Sequence, residues 1–352
     1  MTVDIQPLAS DDIDAWCAIV ADGRTRESGS SIDAAGLAAN IRHFSEPSTD
    51  VLRLSARHDG HVVGAAECRL QVGGTFLRLY VVDPHRRTGV GRALFDASVT
   101  WSRSRDAGRI TATAVADGPG EAFAAAVGAR TAIRLVTLER TLDRPAPRLD
   151  LPSLLRPVSW SARCPEPLLP SYAALKNRIV DAPDAELQRD RPEWTPAAVR
   201  TWEATLRDRL LVCGVIDDTT RALVGFTEVV APDTGDIAGG GPADQVDTVV
   251  DPAWRGRGVG TWLKGAMIDR LRADRRPADR PPADRPPANG LGAERAHTIR
   301  IVTTINERNV PMLAASDRVG YWVVRRRRLV AIDLRDDSSH RLDGTTPGPT
   351  AR

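Results

Sequence analysis

What most constrains this chain is that it repeats. The string Val81-Val82-Asp83-Pro84-His85-Arg86-Arg87-Thr88-Gly89-Val90-Gly91 returns half a chain later as Val249-Val250-Asp251-Pro252-Ala253-Trp254-Arg255-Gly256-Arg257-Gly258-Val259-Gly260. An apolar run carrying Gly-x-x-Glu precedes each copy, Gly64 to Glu67 in the first and Gly225 to Glu228 in the second. After each copy come an amphipathic stretch, a β-branched run and a short helix ending in glycine. Two copies of one α/β domain is the simplest organisation for such a pattern, and 352 residues suffice for two domains of ordinary size.

In the first half, 51–57 and 62–70 read as strands joined by the turn His58-Asp59-Gly60. Residues 76–82 form the next strand, and 89–105 a helix with Val90, Leu94, Ala97, Val99 and Trp101 on its apolar face. A strand at 110–115, a helix at 120–127 and a strand at 131–142 complete the half. The Pro/Arg-rich 143–152 is the linker, which sets domains at 1–145 and 146–335. The second half runs in the same order. Helices are expected at 167–180, 196–209, 259–271 and 310–319, and strands at 210–216, 222–231, 246–250, 298–305 and 322–334. A Pro-rich insertion at 275–290 reads as a solvated, partly polyproline loop, and the polar tail 336–352 as disordered.

Composition removes several classes. A net charge of +2 gives no general reason to expect nucleic acid or a membrane surface as partner. The run Arg325-Arg326-Arg327-Arg328 lies on a strand whose alternation splits it onto two faces, with no stacking aromatics beside it. No apolar run reaches the roughly 20 residues of a membrane span, and the N-terminus lacks a secretory leader pattern. A cytoplasmic protein is the expectation. Four scattered cysteines and six scattered histidines make neither a disulfide framework nor a metal site. Of the 48 basic Lys and Arg residues, only Lys176 and Lys264 are lysines, which reads as compositional bias rather than as a functional signal.

The repeated string is a strand, an Arg/Gly turn and a helix start. Glycines there free the backbone for positive φ and keep Cβ atoms away from whatever approaches the unpaired N–H groups of the helix. With the positive dipole end and Arg255 and Arg257 at hand, a pyrophosphate is the fitting ligand. The spacing lacks the Gly-Lys-Ser/Thr ending of a P-loop and the spacing of a dinucleotide-binding Rossmann turn.

Val-x-x-x-x-x-Arg-Gly-x-Gly-x-Gly before an amphipathic helix resembles motif A of the GCN5-related N-acetyltransferases (GNAT). Asn309, Gly320 and Tyr321 resemble that family's motif B. The resemblance covers nearly the whole chain as two tandem GNAT-like domains, a layout also seen in mycothiol synthase-like proteins. It implies a mixed, mostly antiparallel central sheet flanked by helices in each. It further implies acetyl-CoA as cosubstrate and no metal. The coenzyme would lie on Val249, Val250, Arg255, Gly256, Arg257, Gly258, Val259, Gly260 and Thr261, with Asn309 nearby. The pantetheine would run beside 246–250, and a backbone N–H of Val249–Val250 would hold the oxyanion. The matching positions of the first half are Val82, Arg86, Arg87, Thr88, Gly89, Val90 and Gly91. That half departs from the pattern. One residue fewer separates its Asp83-Pro84 from the arginine, Asp117 stands for Asn309, and Gly128-Ala129 stands for Gly-Tyr. It reads as a second, inactive coenzyme site or a structural lid.

An ammonium acceptor must lose a proton before it attacks a thioester, so a nearby carboxylate is needed. Glu228, Asp247 and Asp244 are the candidates, and Glu67 at the Glu228 position makes a shared structural role the competing reading. Where the family carries a tyrosine acid, this chain has Ser316. Acceptor choice would fall to 176–203, where Asp181, Asp184, Glu186, Asp190 and Glu193 are offset by Arg178, Arg189 and Arg191, and where Trp194 and Trp202 either line a pocket or pack helices. The resulting expectation is direct transfer of acetyl to a primary amine of a small molecule or peptide. The alternative is a non-catalytic acyl-CoA-binding sensor or assembly partner. A homodimer is compatible with the sequence.

Overall fold

Alternation of side chains decides which face of each strand is buried, and it does so twice in this chain. The computed structural model describes residues 3–29, 31–43, 49–181, 193–206, 208–231, 242–274 and 300–335. The insertion, the tail and Asp184, Glu186, Arg189, Asp190 and Arg191 lie outside them. The chain divides into two units, residues 1–132 with 329–352, and residues 133–328.

The first unit runs β1 (Asp4–Pro7), α1 (Ile13–Ser28), α2 (Ala34–His43), β2 (Val51–His58), β3 (His61–Gln71), β4 (Gly74–Val81), α3 (Val90–Arg103), β5 (Arg109–Val115) and α4 (Pro119–Ala126). Its strands lie in that order. All pairs are antiparallel except β4 with β5. On β3, Ala65 joins the cluster of Trp16, Val20 and Ala38 from α1 and α2, whereas Ala66 and Cys68 join Val90 and Leu94 of α3. One strand thus feeds two cores, as period-2 geometry requires.

The second unit takes residues 133–141 of β6 (Arg130–Thr141), then β7 (Leu155–Ser161), α5 (Leu169–Asn177), α6 (Pro196–Thr205), β8 (Arg209–Asp217), β9 (Leu223–Ala231), β10 (Ala243–Val250), α7 (Val259–Ala273), β11 (Arg300–Asn306), α8 (Val310–Arg318) and the start of β12 (Trp322–Asp333). The strand order is β6-β11-β10-β9-β8-β7, antiparallel but for β10 with β11. Leu211 and Cys213 pack with Met267 and Ile268 of α7, and Leu210 and Val212 with Tyr172 and Val199 of α5 and α6. Each unit is therefore a mixed, mostly antiparallel sheet between helices.

Local chemistry fixes the helix ends. Thr195 caps α6 by accepting from Ala198 N at 3.1 Å, and Asn309 caps α8 by accepting from Met312 N at 3.3 Å. The helices foreseen at 167–180 and 196–209 are shorter than the periodicity suggested, because α5 tightens into a 3-10 turn at Arg178 and α6 stops at Thr205. All four cysteines are free and buried. In the arginine run of β12, Arg326 and Arg328 share the carboxylate of Glu307. Among the described residues, no helix is long and apolar enough to cross a membrane.

Candidate functional site

The site of the second unit opens because two parallel strands start together and then part. β10 and β11 are in register only at Ala243↔Ile301 and Asp244↔Val302. Beyond them the β10–β9 register slips between Gln245 and Thr248, so Val246 and Asp247 oppose the single residue Glu228. Such a bulge bends its strand and re-aims a side chain. The parted strands enclose a cleft of about 810 Å³ along 246–250, walled by the Trp254–Gly260 loop, α7 and α8. Gln245 O still accepts from Thr303 Oγ1 of β11 at 3.0 Å; beyond it, among the described residues, β10 is no longer paired with β11, which leaves a strand edge for an extended ligand.

At one end of the cleft the Arg/Gly turn delivers α7. Gly256 and Gly258 adopt φ +74° and +79°, and a Cβ on either would point into open space, so conformation rather than crowding calls for glycine there. Gly258 caps α7, whose first-turn N–H groups of Val259, Gly260 and Thr261 lack intrahelical acceptors. Arg255 Nε donates to Val250 O at 3.0 Å and ties the loop to the end of β10. The Arg257 guanidinium lies 5.1 Å from the centroid of Trp254.

Behind the bulge lies a charge cluster. Glu228 is wholly buried, and its carboxylate accepts from Lys176 Nζ at 2.7 Å and from the Tyr172 hydroxyl. Lys176 is also buried, and its Nζ stands 3.6 Å from Asp247 Oδ2. The rings of Trp202, Trp194, Tyr172 and Phe226 surround that ammonium at 4.3 to 5.6 Å. Burial pushes the Glu228 carboxyl up to about 7; the Lys176 ammonium pulls against this, and the Asp247 charge adds to it. Burial and the Glu228 charge hold Tyr172 well above the usual phenol range. Two carboxyl groups thus share one ammonium, and only Asp247 is partly exposed, lining the cleft.

A second buried network sits on the α7 side of the sheet. Lys264 Nζ and the Tyr321 hydroxyl both donate to Gln245 Oε1, at 2.7 and 2.9 Å. Gln245 Nε2 donates to Thr227 Oγ1 at 2.8 Å. Among the described residues Lys264 has no carboxylate partner, and burial alone pulls its amine down to about 7.

The other sequence candidates fall as follows. Asp244 is exposed at the start of β10, outside the lining of the cleft. Asn309 lines the cleft while capping α8. Ser316 is not brought there: it is buried, and its hydroxyl donates back to Met312 O at 2.9 Å. A serine so engaged within its own helix presents no proton to a leaving group. Arg178 lines the cleft, Glu193 is exposed, and Trp194 and Trp202 close around Lys176. Lys176, Tyr172, Gln245 and Lys264 carry no motif. Only the two lysines left a signal, since this arginine-rich chain keeps lysine at two positions only and both are buried; nothing in the sequence marks Tyr172 or Gln245.

The first unit repeats the frame, parting strands included, but without the bulge and with only a small cavity. Its loop is not shorter. Arg86 Nε donates to Val81 O at 3.0 Å, as Arg255 does to Val250 O, and the pairs Gly64↔Val81 and Gly225↔Val250 set the same origin. From there Val82 to Gly89 matches Asp251 to Gly258 residue for residue, and only the Asp-Pro dipeptide is displaced by one. Arg87 at φ +64° occupies the place of Gly256. β4 pairs with β3 without a bulge. Where β4 and β5 part, Phe95 and Phe123 meet edge to face and leave a cavity of about 90 Å³, which no residue of 86–91 lines. Arg86 and Thr88 brace the turn, the latter through its hydroxyl to His85 O at 2.7 Å; Val82 N donates to Val63 O at 3.1 Å, Val90 is buried in the core, and a Cβ on Gly91 would meet Phe123 at 3.4 Å.

A splayed sheet, a strand bulge and a glycine-turned helix start meet around one cleft, whose strand edge and helix N-terminus have the shape and polarity to suit an extended, pyrophosphate-bearing ligand. A sequence profile of the Acetyltransferase (GNAT) family matches residues 23–128 and 178–277, more than half of the chain, and the protein belongs to that family. It is an N-acetyltransferase that uses acetyl-CoA, built from tandem GNAT domains. Among solved structures it is similar to a tandem GNAT protein from the clavulanic acid biosynthesis pathway, solved without acetyl-CoA. The two share 25% identity over 95% of this chain and 99% of that one, with a TM-score of 0.67. A GCN5-related N-acetyltransferase from Sphaerobacter thermophilus shares the fold at 15% identity, covering 95% and 96% of the two chains, with a TM-score of 0.67. No curated protein matches the sequence significantly.

Proposed function

We propose that the second unit transfers acetyl from acetyl-CoA to a primary amine by direct attack, with Asp247 as the group that receives the amine's proton. The observation carrying this reading is the position of Asp247: on the bulge, at the cleft, and in electrostatic reach of a buried Lys176–Glu228 pair. The pyrophosphate lies against the first turn of α7 and the pantetheine along the free edge of 246–250. The thioester carbonyl then meets a backbone N–H of the Val249–Val250 strand on its cleft side. An entering ammonium is drawn to Asp247, gives up a proton, and attacks the thioester carbon. The tetrahedral intermediate loses the second nitrogen proton to solvent and breaks its C–S bond to give the neutral amide and a thiolate. Burial pushes the neighbouring Glu228 carboxyl up to about 7, so this buried acid is placed to share the proton delivered beside it. The thiolate, whose conjugate thiol titrates near ~8.5, leaves without a tyrosine acid and is protonated by solvent. Acceptors are small molecules or peptides bearing a primary amine.

The test is thiol release from acetyl-CoA across a library of amines, with wild type and Asp247→Asn. The expected result is turnover with cationic amines that falls about 100-fold or more in the variant while acetyl-CoA affinity is kept. A sensor would bind acetyl-CoA and release no thiol with any amine in either form.

A further inference from the structure

We propose that the first unit carries a binding site for a small organic anion, a carboxylate or phosphate attached to an apolar body, in the pocket between α1, α2 and the face of β2–β4. The cavity there measures about 480 Å³ and lies wholly within the first unit. That size suits a small ligand. Its floor is a row across three neighbouring strands: Arg53 on β2 faces Glu67 on β3, and Glu67 faces Arg78 on β4. Arg69 follows two residues along β3 on the same face, and Arg24 enters from α1.

Charge does not balance in this pocket. Glu67 accepts from Arg53 at 3.1 Å, Arg78 at 3.2 Å and Arg69 at 3.4 Å, and among the described residues it is the one acidic side chain lining the pocket. Three guanidinium groups on one carboxylate leave two positive charges, and Arg24 adds a third with no ion pair among the described residues. Each guanidinium offers five N–H donors in a planar fork, and those not spent on Glu67 suit a carboxylate or phosphate. Trp16, Val20 and Leu37 supply the apolar wall.

The corresponding row of the second unit has the opposite character. There Val212 on β8 faces Glu228, and the bulge places Asp247 beside it. Two carboxyl groups and one buried ammonium stand where the first unit has three arginines and one carboxylate. The same frame is thus built for a cation in one copy and for an anion in the other. This inference stands apart from the acetyl-transfer reading, since none of its residues lies in the second unit.

The experiment is calorimetric titration of the full chain with phenyl phosphate, benzoate, inorganic phosphate and benzylamine. Four proteins are compared: wild type, Arg69→Gln/Arg78→Gln, Arg24→Gln and Gly258→Glu. Phenyl phosphate and benzoate are expected to bind and benzylamine not to. Affinity should fall about 10-fold or more in the double variant and measurably in Arg24→Gln, which breaks no ion pair and keeps the test open if the double variant does not fold. Binding should survive Gly258→Glu, which alters the second unit's turn. The proposal is overturned if neither aromatic anion binds, if benzylamine binds as well as they do, or if binding is lost in Gly258→Glu and kept in the arginine variants.

Discussion

Lys176→Met removes the one cation shared by Glu228 and Asp247, and its consequence depends on pH in a way that can be worked out. At 2.7 Å and an effective dielectric of about 20, Lys176 and Glu228 attract by roughly 6 kcal/mol. A bare Glu228 carboxylate would lose all of that, so the side chain takes up a proton instead. In the wild type this group costs stability between about 4.3, its ordinary value, and about 7, its folded value, and nothing further above that. In the variant the folded value rises further, toward the roughly 8–9 documented for fully buried glutamates, so the loss continues upward. The variant should therefore fall behind wild type by roughly 1.4 kcal/mol per pH unit above 7, up to about 3 kcal/mol by pH 9. A pH-independent offset of about 1–2 kcal/mol accompanies it, from the lost cation–π contacts with Trp194 and Trp202. Urea denaturation at pH 6, 7, 8 and 9 measures the gap, and adding Glu228→Gln to the variant should flatten it. A gap that stays constant from pH 6 to 9 would refute the reasoning.

Lys264→Met tests the other buried amine with the opposite sign. Its amine titrates near 7 when folded and near ~10.4 when unfolded. Wild type is thus penalised increasingly as pH falls from about 10 to 7, and the variant should gain a few kcal/mol relative to it over that window; equal gaps in urea midpoint at pH 7 and pH 10 would contradict this. Arg270 donates to Trp160 O at 2.9 Å, Val212 O at 2.7 Å and Ser161 Oγ at 2.7 Å. Arg270→Ala should cost about 2–3 kcal/mol in chemical denaturation, and a loss under about 0.5 kcal/mol would show these carbonyls to be satisfied without it. Gly89→Glu, at the first unit's turn, should leave acetyl-CoA affinity within about twofold in calorimetry, because the cavity behind that turn is small and not lined by it.

The frame was legible because it rests on local rules. Repeated strings, alternating strands and the Gly258-capped helix appear in the sequence at the places the structure puts them. What escaped reading depends on tertiary placement. Glu228 and Glu67 occupy the same position in the same Gly-x-x-Glu string, yet one meets Lys176 and Tyr172 from a helix while the other meets three arginines. The bulge that brings Asp247 to the cleft adds a residue without any glycine or proline to mark it. The Asp-Pro dipeptide misled the alignment of the two turns, since its shift by one residue imitated a deletion. Ser316 was placed by counting from Gly320, and counting along a helix does not show that its hydroxyl turns back to Met312. The two lysines were visible from the start, and only their burial distinguishes retention from bias.

Acetyl-CoA is expected to bind the second unit through the Arg255–Gly260 turn. Calorimetric titration of acetyl-CoA into wild type and Gly258→Glu tests it most directly, because a glutamate there must adopt φ near +79° and sets a carboxylate against the pyrophosphate. One site in the wild type and an affinity loss of about 100-fold or more in the variant are expected. Equal binding in the two proteins would place the coenzyme elsewhere and contradict it.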